Sequence, residues 1–206
     1  MPRLALALVL VWFVSLFVIR SIVQWRRTGS TGLKGISGAV GSVEWNAGVL
    51  TAIGFVAAAA TPFATLFSWP GGNILVTVPV VHSVGALVAT AGIVGALAAQ
   101  VEMGDSWRVG VDEAEETTLV THGLFRWVRN PIFTFVLLSL VGLVLVLPTV
   151  FSLLATALAT IGIELQVRAV EEPYLRRVHG TTYDDYCSQT GRFLPGIGRT
   201  SSRRGC

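Results

Sequence analysis

Apolar residues in this chain come in long runs, separated by short polar stretches. Between Arg3 and Arg20 lie sixteen uncharged, mostly apolar residues, and Ser21 to Trp25 extend the run. A helical crossing of a bilayer takes about 20 residues, so this segment is long enough. A cleaved signal peptide is the competing reading, with Arg3 in its basic leader. No A-x-A-like site follows, and Arg20, Arg26 and Arg27 come next, so a retained first helix is expected. Thr28 to Ser42, rich in Gly, Ser and Thr and carrying Lys34, reads as a loop. Trp45 to Trp69 reads as a second span, and Pro70-Gly71-Gly72-Asn73 as a tight turn. Ile74 to Val101 reads as a third span. Its Gly85, Ala89, Gly92, Gly95 and Ala96 are spaced to let helices approach closely. His82, inside that run, is expected to make an interhelical hydrogen bond.

Met103 to Asn130 breaks the apolar pattern and is expected at the membrane surface, with Asp112 to Glu116 as a solvated face. Pro131 to Leu147 and Thr149 to about Arg168 are two further apolar segments. Only Pro148 divides them, which predicts a tight helical hairpin over 131–168. From Ala169 the chain is polar and holds Arg176, Arg177, Arg192, Arg199, Arg203 and Arg204. The fold class expected is all-α, a polytopic membrane bundle of about five transmembrane helices. Residues 1–100 would supply the first three spans. Residues 101–206 would form a core with the hairpin, a cytoplasmic cofactor pocket and a cytoplasmic tail.

Composition agrees with the pattern. The chain is 52% hydrophobic and only 13% charged, where a soluble domain carries about 25% charged residues. Fourteen Arg and one Lys face twelve acids, a net charge of +3. Five spans put the loop at 25–44, the segment at 101–130 and the tail on one side. Nearly all the basic residues lie there, and Arg3 lies opposite. The positive-inside rule makes that side cytoplasmic, so the excess charge fits membrane orientation better than nucleic acid. The Arg, Ala, Val and Gly bias points to a GC-rich bacterial genome, hence a bacterial cell membrane. Cys187 and Cys206 belong to no CxxC pair or Cys/His cluster, so neither a disulfide framework nor a metal site is expected.

Two constellations could carry chemistry. Glu164, Arg168 and Glu171 are spaced i, i+4, i+7, on one face of a straight helix. They make either an ion pair followed by a solvated face or, with Glu172, a carboxylate pair for a cationic ligand. Pro173 then disturbs the helix. A short helix is expected to stop at Gly180, with Thr182 as the next N-cap and Asp185 three residues on. Tyr183 and Tyr186 share a face of the new turn. The second constellation is Thr121-His122-Gly123-Leu124-Phe125-Arg126-Trp127-Val128-Arg129-Asn130-Pro131. Pro131 suits the first position of a helix and Asn130 its N-cap. Free N–H groups there could receive an anion or carboxylate, with Arg126 and Arg129 adding positive charge. Interfacial anchoring by Arg and aromatic residues is the other reading. The chain has no phosphate-binding glycine loop, no GxSxG and no HExxH.

Taken together, these motifs resemble the isoprenylcysteine carboxyl methyltransferase family and its phospholipid methyltransferase relatives, over about Gln100 to Pro195. The family order is L-V-T-x-G-x-Y, R-H-P-x-Y, a helical hairpin, E-E, G-x-x-Y-x-x-Y and R-F-x-P. Here stand Leu119-Val120-Thr121-His122-Gly123 with Phe125, then Arg129-Asn130-Pro131-Ile132-Phe133. After the hairpin come Glu171-Glu172, Gly180, Tyr183, Tyr186 and Arg192-Phe193-Leu194-Pro195. Met103-Gly104 to Arg108 is similar to the segment leading into that core. The family's His is Asn130, which is polar but cannot titrate, and two of its tyrosines are Phe125 and Phe133.

The resemblance implies a methyltransferase with S-adenosylmethionine as cofactor. It implies Leu119, Val120, Thr121, Gly123, Phe125, Arg129, Asn130, Pro131, Phe133, Glu171, Glu172, Tyr183 and Tyr186 as cofactor-binding positions. Arg129, Asn130 and Glu171 are the catalytic positions it implies. Glu171 and Glu172 suit the cationic amino-acid end of the donor. Arg129 and the N–H groups near Pro131 suit its carboxylate. Trp107, Arg108 and Arg126 are candidates to meet the substrate. The partners expected are the lipid bilayer and a lipophilic or small methyl acceptor bearing a carboxylate, thiol or amine, with no nucleic acid and no metal. Two alternatives stand beside this reading. One is an NADPH-dependent membrane reductase of the sterol-reductase type, whose C-terminal half is similar. The other is a non-catalytic membrane scaffold.

Overall fold

The computed structural model describes residues 1–33, 35–107 and 118–200. Lys34, Arg108, the stretch Asp112 to Glu116, Arg203, Arg204 and Cys206 lie outside the described residues. Among the described residues there are seven α-helices and no β-strand. Helices α1 (Pro2–Phe13) and α2 (Arg20–Thr28) form one rod, joined by a wide π turn at Val14–Ile19. Then come α3 (Val43–Leu66), α4 (Pro79–Met103), α5 (Pro131–Val146), α6 (Val150–Leu165) and α7 (Glu172–Gln189). A second π turn, Gln166–Glu171, links α6 to α7.

Four helices are long and apolar enough to cross a membrane: Pro2–Thr28, Val43–Leu66, Pro79–Ser106 and Val150–Gln189. The chain is therefore an integral membrane protein of the all-α polytopic class. The fifth expected span, α5, is apolar but has only 16 residues, about 24 Å at 1.5 Å per residue.

Local chemistry sets the helix ends. Ser42 caps α3 by accepting a hydrogen bond from the Trp45 N–H at 3.1 Å. The third span starts at Pro79 and not at Ile74 as its apolar run suggested. Pro79 holds the first helical position, and the residue before a proline is driven to extended backbone, as Val78 shows with φ −81° and ψ 115°. Leu75 in the leading segment instead donates its N–H to the Pro148 carbonyl at 2.7 Å. The α5–α6 connection is as tight as expected. Thr149 and Ser152 exchange side-chain and backbone hydrogen bonds, each 3.0 Å, in a capping box.

The arms of this hairpin pack mainly on other helices, α5 along α4 and α6 along α3. Small residues make both contacts close. A Cβ on Gly92 would lie 2.5 Å from the Ser139 nitrogen, and one on Gly142 would overlap the Ala89 backbone. Gly54 meets Ala159 in the same way. His82 is buried, its Nδ1 3.2 Å from the Leu145 carbonyl, the interhelical bond expected of it. Around these seams sits a core of Trp12, Leu16, Ile93, Val136, Ile163 and Val167, with Phe133 and Phe193 packed against it. Replacing Gly142 by Leu should force α4 and α5 apart and cost about 1–3 kcal/mol or more through overpacking. A lowered melting temperature of the detergent-purified protein is the measurement.

Both π turns have identifiable settings. In the first, the Leu16 carbonyl accepts a hydrogen bond from buried Gln100 Nε2 at 3.1 Å. In the second, Pro173 cannot donate to the carbonyl four residues back, and its ring displaces that turn. The predicted Glu164–Arg168–Glu171 stripe ends there. Glu164 and Arg168 form an exposed ion pair, and the widened turn takes Glu171 out of straight-helix phase.

Candidate active site

After α4 the chain turns at Gly104, and Trp107 is buried just beyond. A single 3-10 turn lies at Gly123–Arg126. Gly123 has φ +58°, and a Cβ there would strike the Glu102 carboxylate. That carboxylate accepts the Leu124 N–H at 2.6 Å, so the end of α4 fixes the turn. Glu102 stood out in no motif, and its only sequence signal is an acid at the close of an apolar span.

Past this turn the two motif regions zip together. Val128 and Gly191 form a parallel bridge. The Arg129 N–H donates to the Gly191 carbonyl at 2.8 Å, and the Asn130 N–H to the Arg192 carbonyl at 3.1 Å. Thr134 Oγ1 donates to the Phe193 carbonyl at 2.8 Å. Asn130 occupies the N-cap position of α5, but its side chain does not cap the helix. Its Nδ2 turns instead to the Arg192 carbonyl at 3.2 Å. The first-turn N–H groups of α5 are thus left without a side-chain cap.

Beneath the zipper lies a buried charge cluster. The Arg129 side chain is 1% exposed. Its Nη2 donates to Glu172 Oε1 at 2.9 Å and to the Gly198 carbonyl at 3.0 Å. Its Nη1 reaches the carbonyls of Thr190 and Cys187. Glu172 also receives Arg192, with Nε at 2.7 Å from Oε1 and Nη2 at 2.9 Å from Oε2. These bonds to Glu172 raise the Arg192 pKa above its ordinary value, against the opposing effect of burial. Two guanidinium groups thus share one carboxylate, with Arg129 bonded through both terminal nitrogens and Glu172 through both oxygens. Cys187, which looked incidental, supplies one of the acceptors and is itself fully buried.

The other predicted positions divide clearly. Pro131 is buried at the start of α5. Tyr183 is 1% exposed, its ring 6.2 Å from that of Tyr186. The Tyr186 hydroxyl donates to the Phe125 carbonyl at 2.6 Å, tying α7 to the Gly123–Arg126 turn. Phe133 faces the apolar core. Leu119, Val120 and Glu171 are half-buried, and Thr121 and Gly123 are exposed. Arg126 is exposed, over the Trp127 ring at 6.0 Å. Trp107 is packed under Arg20, 4.8 Å from its guanidinium carbon. Helix α7 breaks at Gly180, with φ 52° and ψ −129°, as a stop signal there predicts. Arg192 was part of the recognised motif, but nothing in the spacing marked it as the partner of Glu172.

The fold is thus a polytopic helical bundle in which the two motif regions are zipped together beside a helical hairpin. A family model described as phospholipid methyltransferase matches residues 80–182, half of the chain. The chain belongs to this family and is a membrane methyltransferase. No curated protein sequence matches it.

Proposed function

We propose that the protein moves a methyl group from S-adenosylmethionine to a lipophilic or small acceptor reached from the bilayer. The observation that carries this reading is the family match over 80–182, which spans both Arg129-Asn130-Pro131 and Glu171-Glu172. When bound, S-adenosylmethionine supplies an electrophilic methyl on a sulfonium. The residues present suit its amino-acid end in a way that differs from the motif-based assignment. Arg129 and Glu172 neutralise each other and hold the C-terminal segment, so both are positioning residues. Half-buried Glu171, next in line, suits the donor's ammonium group. The uncapped first-turn N–H groups of α5 suit its carboxylate.

The reaction needs little beyond alignment and exclusion of water. Asn130 offers an amide and no titrating group, which favours an acceptor already anionic, a carboxylate or thiolate, over an amine that must lose a proton. The basic last turn of α2, with Arg26 and Arg27, and the Arg-rich C-terminal tail support a cytoplasmic site by the positive-inside rule, and the composition suits a bacterial cell membrane.

The test is titration of the purified full-length protein with S-adenosylmethionine and separately with NADPH, followed by transfer of labelled methyl to membrane extract. Saturable binding of the methyl donor and a labelled product are expected. Tight NADPH binding with no response to the donor would replace this reading with a reductase.

A further inference from the structure

The α1–α2 rod lies outside the family match, yet it carries a buried cation. Arg20 is 6% exposed, at the membrane end of an apolar helix. Its Nη2 donates to the Gly104 carbonyl at 2.5 Å, and its guanidinium carbon lies 4.8 Å from the Trp107 ring centroid. Among the described residues its Nε has no hydrogen-bond partner, and neither do the neighbouring polar atoms Ser21 Oγ and Gln24 Oε1. A buried polar group left unmade costs about 1–3 kcal/mol. A charge at membrane depth calls for a partner or a function.

Beside Arg20 a groove of about 150 Å³ opens between the rod and α4, room for roughly ten water-sized sites. Ile19, Val23, Leu97 and Val101 form its apolar walls, and Arg20 and Arg27 supply its charge. Among the described residues no acid lines it. Asp105 pairs with Arg27 at 3.6 Å, but both side chains are more than 60% exposed, so the pair neutralises little. Apolar walls, with two arginines and only the exposed Asp105 near them among the described residues, match an anionic amphiphile.

We propose that this groove binds an anionic phospholipid of the bilayer. Its phosphate would sit between Arg20 and Arg27, and its acyl chain would run along Ile19, Val23 and Val101. None of the residues that line the groove belongs to the Arg129–Glu172 cluster or to the Gly123–Arg126 turn. Val101 lines it, whereas Glu102, the next residue around α4, holds the Gly123–Arg126 turn. Because Arg20 also grips the Gly104 carbonyl, a lipid bound here braces the elbow where α4 ends.

Native mass spectrometry of the full-length protein in detergent tests this, with dioleoyl phosphatidylglycerol, dioleoyl phosphatidylcholine and inorganic phosphate as the probes. The wild-type protein should retain phosphatidylglycerol at least tenfold better than phosphatidylcholine, and millimolar phosphate should not displace it. Arg20 is buried and its replacement threatens folding, so the variants are Arg27→Gln and Val23→Trp, both at exposed positions. One removes charge and the other fills the groove, and each should reduce phosphatidylglycerol retention severalfold. Equal retention of the two lipids, or retention unchanged in both variants, overturns the proposal. Displacement by phosphate alone would make this a soluble-anion site and overturns it as well.

Discussion

Deletion of residues 191–206 is expected to remove donor binding and most of the protein's resistance to heat, far beyond the effect of deleting 201–206 alone. The 191–200 segment is the second arm of the zipper beside the motif residues. Its carbonyls at Gly191, Arg192 and Phe193 receive the Arg129 N–H, the Asn130 N–H and the Thr134 hydroxyl. Its Gly198 carbonyl takes Arg129 Nη2 at 3.0 Å, and Arg192 supplies two of the hydrogen bonds on Glu172. Each neutral bond contributes about 1 kcal/mol. Loss of Arg192 also removes two charge-assisted hydrogen bonds from Glu172, each worth about 1.5–3 kcal/mol, although Arg129 still neutralises the carboxylate. Together the loss is on the order of 5 kcal/mol or more, comparable with the whole stability of many domains. Thermal unfolding of the two truncated proteins in the same detergent measures it. Equal melting temperatures would show that the zipper contributes nothing.

Much of the bundle is legible in the chain because membrane helices are written in composition. The first two spans, the loop between them and the turn at Pro148 follow from apolar run length and from Ser, Gly and Pro at the breaks. Errors fall where a local rule overrides hydropathy, as at Pro79, which trims five residues from an apolar run. What composition does not encode is pairing. The pairing of α4 with α5 and of α3 with α6 depends on contacts such as Gly92 with Ser139, far apart in sequence. The π turn at Val14–Ile19 contains neither Pro nor Gly, and the side chain that serves it, Gln100, is 84 residues away. The site shows the same division. The motif positions are recognisable, but charge type alone pairs each acid or Arg with a ligand. Folding brings Arg129 and Glu172, 43 residues apart, against one another instead. Asn130 likewise reads as a cap, yet it spends its amide on the Arg192 carbonyl.

Glu172→Gln and Glu171→Gln, adjacent and chemically identical changes, are expected to fail in opposite ways. Glu172 is 6% exposed and is the only carboxylate bonded to both Arg129 and Arg192 among the described residues. The amide of Gln keeps its shape but not its charge, and one of its two oxygens becomes a donor facing a guanidinium. Two buried cations are left facing each other, and the cost is about 3–5 kcal/mol. At roughly 2–4 °C per kcal/mol for a chain of this size, the melting temperature should fall by about 6–20 °C. Donor binding would be lost with it, for structural reasons. Glu171 is half-buried at the end of the π turn, and its change should cost about 0.5–1.5 kcal/mol of stability, the net worth of one hydrogen-bonded contact. On the proposed reading it removes a charge-assisted hydrogen bond to the donor's ammonium, worth about 1.5–3 kcal/mol. The dissociation constant for S-adenosylmethionine should then rise about 10- to 150-fold in a protein that still melts near the wild-type temperature. Isothermal titration of Glu171→Gln against a melting curve of Glu172→Gln separates the two roles. A Glu171→Gln protein that binds the donor normally would remove this carboxylate from the site, and a Glu172→Gln protein of wild-type stability would mean that the two arginines do not need it.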